Sequence, residues 1–140
     1  MTASKYNSEG YYDPTTYEAL SRIEREERVA RYRPLVYICS PYSHGCINTN
    51  IENARKYSRF AVDRHYLPIT PHIYFTQFMD DTVFEERETA IFMNLVLMSK
   101  CVELWVFGDT ISAGMKAEIE RAERKHMKIR YFTEELEEKE

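Results

Sequence analysis

The chain has 140 residues, 44% of them hydrophobic and 30% charged, with a formal net charge of −4. That length makes one domain with a real core, and the composition excludes an extended disordered chain. An acidic balance without a basic stripe gives no support for long nucleic acid as a phosphate-bound partner, and no apolar run approaches the roughly 20 residues that cross a bilayer. With no signal-peptide pattern, the expectation is a cytoplasmic protein without a membrane partner.

Residues 1–12 are polar and rich in Tyr and Ser, and are expected to be irregular. Asp13-Pro14 opens a helix, with Asp13 at the N-cap and Pro14 at the first helical position. It runs to about Tyr32, with Tyr17, Leu20 and Ile23 along one stripe. Pro34 separates this extension (1–33) from the domain proper (34–133), and residues 134–140 form an acidic tail.

Leu35–Cys39 is the first core strand, ending in a polar turn, Ser40-Pro41-Tyr42-Ser43-His44-Gly45. A helix over Asn48–Arg64 follows, then a short strand, Leu67–Thr70, placed near a sheet edge because Pro68 removes a ladder donor. Residues 71–81, PHIYFTQFMDD, read as a loop, with Tyr74, Phe75 and Phe78 too apolar to be idle. Thr82-x-x-Glu85 reads as a capping box for a helix reaching about Ser99.

Cys101–Phe107 is a strand buried on both faces, apolar but for Glu103 and stopped at Gly108-Asp109. Ser112 caps the next helix, which begins Ala113-Gly114. Met127–Phe132 is the last strand. Strand and helix alternate, so the architecture expected is α/β, a doubly wound, mostly parallel sheet of four or five strands with an extra N-terminal helix.

In such sheets ligands bind beyond the carboxyl ends of the strands, where the strand order reverses. Three loops converge there: 40–45, 71–81 and 108–114. Glu118 lies one turn after Gly114 on the same helix face, so its carboxylate leans over the space the glycine leaves empty. It is either a solvated surface glutamate or a carboxylate at a pocket floor, kept ionised by the helix N-terminal field. In the second case it can attack an anomeric carbon, as in retaining glycoside hydrolysis.

Glycine in a first turn costs about 0.5–1 kcal/mol against alanine, which a close ligand approach would offset. His72 faces the same rim, as a structural histidine or a ligand contact. Asp109 either serves the turn or bonds a ribose hydroxyl. Trp105, Cys39 and Cys101 read as core. His65 and His126 sit at helix ends, where a cation is favoured. Cys39, His44 and Cys46 lack metal-site spacing, so no metal is expected. Neither GxGxxG nor a Walker motif occurs, and no cofactor is expected.

VYICSPYSHG paired with LWVFGDTISAGMKAEI resembles the nucleoside 2-deoxyribosyltransferase-like superfamily, in particular its small, uncharacterised, often phage-encoded branch. The resemblance spans about residues 35–132 and centres on Ser112, Gly114 and Glu118. It implies a flavodoxin- or Rossmann-like fold and a nucleoside or nucleotide as the small-molecule partner. Glu118 would be the nucleophile at C1′, and Tyr37 would orient its carboxylate.

Ser40, Pro41, Tyr42, Ser43, Ser112, Ala113 and Gly114 would hold sugar or phosphate. Tyr74, Phe75 and Phe78 would wall the base. Relatives place an aspartate where this chain has Asn94, and an amide hydrogen-bonds a base without giving up a proton. Nor does the turn after the first strand carry the arginine of phosphate-selective relatives. The activity implied is an N-glycosidic hydrolase or deoxyribosyltransferase, the alternative being a non-catalytic nucleotide-binding module. A homo-oligomer is implied as well.

Overall fold

The structure, a computed structural model, describes residues 14–140, with side chains from residue 16. The expectations for residues 1–12 and for Asp13 as N-cap lie outside the described residues. The chain divides into two compact units, one ending at Arg33 and the other running from Pro34 to Glu140. In the first, α1 spans Pro14–Arg31 and ends on Arg28 and Arg31, cations placed where the last carbonyls are exposed.

The second unit holds β1 (Leu35–Cys39), α2 (Ile47–Asp63), β2 (Leu67–Ile69), α3 (Pro71–Tyr74), α4 (Phe84–Met98), β3 (Glu103–Phe107), α5 (Ala113–Arg124) and β4 (Lys128–Phe132). The strands form one sheet in the order β2-β1-β3-β4, and every pairing is parallel. The expected doubly wound α/β fold is present, with four strands and β2 at an edge. Both central strands are apolar on both faces because helices cover both. All five residues of β3 are buried, and so are four of the five in β1.

Alternation along these strands divides the core in two. Tyr37, Cys39, Leu104 and Val106 pack with Met98 of α4 and Met115, Ile119 and Ala122 of α5. On the other face Val36, Ile38, Trp105, Phe107 and Phe132 pack with Tyr57 and Ala61 of α2. Tyr37 therefore points to the face that α5 covers, the side on which Glu118 lies. Glu103 is buried but satisfied: it accepts from Trp105 Nε1 at 3.2 Å, and Arg130 lies 3.6 Å away. Arg130 also makes a two-pronged bond to Glu138, at 2.8 and 2.7 Å.

Several local expectations are corrected. Residues 71–81 are not a plain loop: Pro71 starts the single turn of α3, and a 3-10 turn follows over Phe75–Gln77. Proline at a first helical position explains that start. The capping box at Thr82 does not form, because Asp80 captures both the Thr82 N–H and its hydroxyl. The helix starts instead after Val83, which has no side-chain cap.

His65 and His126 act through the backbone. They adopt φ of 68° and 57°, just past α2 and α5. The next N–H reaches back to Ala61 O and Ala122 O, at 2.9 Å in each case. These are Schellman closures at a position that usually takes glycine. The acidic tail is also placed: Thr133 N–H bonds Glu137 O, Lys139 N–H bonds Tyr131 O, and Phe132 bridges Glu138 antiparallel.

Candidate functional site

The carboxyl ends of β1 and β3 open onto a recess of about 420 Å³. Two glycine-marked turns and three helices build it. Asn50 of α2 holds the turn after β1 in place, with Nδ2 donating to Tyr42 O at 2.7 Å and to His44 O at 2.8 Å. At the start of α5, Ser112 has extended backbone angles and its hydroxyl accepts from Met115 N–H at 3.3 Å. The N–H groups of Ala113 and Gly114 are left without an intrahelical partner. A Cβ added to Gly114 would meet nothing within 4 Å, so the absent side chain leaves open space and not a packed contact.

Of the residues expected from sequence, Tyr37, Ser40, Tyr42, Ser43, His72, Asn94, Ser112, Ala113, Gly114 and Glu118 all line this recess. Three others do not. Pro41 turns to a separate small cavity beside α2. Asp109 is paired with Lys139 Nζ at 2.8 Å, its side chain being 90% exposed. Tyr74 is exposed and packs with Phe75 and Phe78, at centroid distances of 5.4 and 5.2 Å. Phe75 and Phe78 likewise stay off the lining, so the aromatic trio packs on itself and does not wall the recess. His44, within the 40–45 turn, lines it too, and Arg87 and Met115 line it without having been anticipated. Arg87 precedes Asn94 by two helical turns, and that same-face spacing was the signal available for it.

Glu118 lies at the floor. Its Oε2 is sealed from solvent and has no hydrogen-bond partner. Burial pushes its carboxyl up to about 7, against a smaller downward pull from the Tyr37 hydroxyl bonded to it. Burial thus works against the ionised form that a helix start favours. Burial first, then the neighbouring Glu118, raises Tyr37 well above the ordinary tyrosine range, so the phenol stays a hydrogen-bond donor.

Ser40 is buried, with its hydroxyl 3.1 Å from His72 Nε2. Burial lowers His72 to about 4, which makes it a neutral imidazole at neutral pH. Glu118 is the one carboxylate on the lining. Among the described residues no cluster of three or more His, Cys, Asp or Glu side chains is placed to hold a metal ion.

Beyond Glu118 the recess adjoins a slot of about 230 Å³ between α4 and α5, walled by Ile91, Leu95 and Ala117. Asn94, Gly114 and Glu118 line both cavities. Asn94 Oδ1 and Arg121 Nε are, like Glu118 Oε2, buried without a partner. Buried polar atoms are normally paired, and these three orphans lie around one cavity system.

No curated protein matches the chain. Among solved structures it is similar to a 2-deoxyribosyltransferase from the psychrotolerant bacterium Bacillus psychrosaccharolyticus, with 15% sequence identity and a TM-score of 0.59, over 71% of this chain and 72% of that one. At that identity the likeness shows a shared fold. Residues 34–132 match the family model described as a domain of unknown function, DUF7768, and the chain belongs to that family.

Proposed function

We propose that this protein cleaves or exchanges the N-glycosidic bond of a nucleoside or nucleotide, with Glu118 as nucleophile. One observation carries the reading: a carboxyl with a sealed, unpartnered oxygen lies at the floor of a ligand-sized recess, held by Tyr37. The shared fold with a 2-deoxyribosyltransferase supports it.

In the reaction, the ionised Glu118 oxygen bonds to C1′ as the C1′–N bond breaks, and the departing nitrogen keeps the electron pair. Asn94 hydrogen-bonds the base but supplies no proton, so that nitrogen takes its proton from water. Water or a second base then attacks C1′ and frees Glu118, giving a hydrolase or a transferase respectively. The neutral His72 orients through hydrogen bonds and carries no charge into the step. A homo-oligomer is part of the reading and is checked by sedimentation.

Asn94 favours a second reading, a module that binds a nucleotide without turnover, because an amide stands where relatives place an acid. Incubation with nucleosides and nucleotides, followed by chromatography for free base, separates the two. Glu118→Gln should abolish base release while ligand-induced thermal stabilisation persists. Unchanged turnover in that variant would refute the nucleophile assignment. Gly114→Leu should fill the open space and prevent binding with the fold intact.

A further inference from the structure

We infer that Arg87 of α4 reads an anionic group on the ligand, which makes the substrate class a nucleoside 5′-phosphate and not the free nucleoside. The inference rests on the glycosidic reading above and deepens it. Arg87 lines the recess, and its guanidinium has no ion-pair partner among the described residues.

Arg87 and Asn94 share a face of α4 seven residues apart, a separation of about 10 Å along the helix axis. Asn94 and Glu118 line both cavities whereas Arg87 lines only the recess, so Arg87 stands on the side of the site away from the slot. The lining also includes Tyr42, Ser43, Ser112 and the first residues of α5. Hydroxyls and free backbone N–H groups at a helix start are donors suited to phosphate oxygens.

The charge balance agrees. The chain as a whole is acidic, yet the lining sets one free arginine against a single carboxylate, Glu118. Guanidinium binds phosphate through paired N–H donors.

The test compares the four common 2′-deoxynucleosides with their 5′-monophosphates, reading base release as kcat/KM, and measures binding of inorganic phosphate by calorimetry. Wild type should prefer the monophosphate. In Arg87→Met the monophosphate-to-nucleoside ratio of kcat/KM should fall about 10- to 100-fold, the span expected for a charged hydrogen bond, mostly through KM. Arg87→Lys should recover part of it, and phosphate binding should weaken in the same order. Arg87 is exposed, so both variants should keep the wild-type melting temperature.

Equal use of nucleoside and monophosphate, or a ratio that Arg87→Met leaves unchanged, overturns the inference while glycosidic cleavage stands. Arg87-dependent phosphate binding without any base release sinks the enzyme reading and keeps the anion site. Neither binding nor cleavage sinks both.

Discussion

Glu118→Gln should change how stability depends on pH, by an amount the structure sets. Burial raises the Glu118 carboxyl from 4.5 to about 7. At about 1.4 kcal/mol per unit, this corresponds to roughly 3 kcal/mol between its protonated and ionised forms in the folded state. The sign follows from proton counting. Between pH 4.5 and about 7 the unfolded chain has released this proton while the folded chain still holds it. Wild-type stability therefore falls as pH rises through that window and levels off above it.

Glutamine has the same shape and no titration, and Tyr37 can still donate to its carbonyl. The advantage of Glu118→Gln should thus grow with pH. Because part of the side chain is reachable from the recess, an increment of about 1.5–3 kcal/mol is expected, a large share of the 5–15 kcal/mol typical of a domain. Urea unfolding of both proteins at pH 5, 6, 7 and 8 measures it, since contributions from other groups cancel in the difference. A difference that stays flat, or shrinks with rising pH, would mean that the carboxylate is solvated or ion-paired, and the buried-acid description would be wrong.

Three further outcomes are expected. Base release should rise with pH through about 7 as Glu118 ionises, and Tyr37→Phe should move that limb to higher pH by removing the bond that favours the carboxylate; a pH–kcat profile checks both. Arg130→Met should destabilise by about 2–4 kcal/mol in urea unfolding, because Glu103 is left buried with its charge unanswered. His65→Gly and His126→Gly should each stabilise by about 1 kcal/mol, since glycine adopts the left-handed backbone without the cost an L side chain bears.

The sheet and the floor of the site were legible because both depend on local rules. Apolar runs at β1 and β3 demand cover on both faces, and Ser112, Gly114 and Glu118 are related by the pitch of a single helix. What escaped depends on partners distant in sequence. Asp109 has the chemistry for a ribose contact, but Lys139, thirty residues on, takes its carboxylate. Tyr74, Phe75 and Phe78 looked like a wall for a base until the turn of α3 folded them onto one another.

Thr82 had the letters of a cap, yet Asp80, two residues before it, competes for the same groups. The reach of Arg87 into the recess depends on how α4 lies over the sheet, which periodicity does not encode. The helix field at Glu118 could be foreseen and the depth of its burial could not. That burial, against the Tyr37 bond, raises its carboxyl.

The segment after β4 has a consequence for anyone trimming this protein. The family match stops at residue 132, yet beyond it Lys139 grips Gly108 O at 3.1 Å as well as Asp109, and Glu138 clasps Arg130. A chain shortened to the family boundary would retain every strand and every residue that lines the recess. It would lose the strap that tethers the peptide leading out of β3, and with it an anchor for the start of α5. An inactive truncation would then report a loosened hinge, not a missing catalytic group.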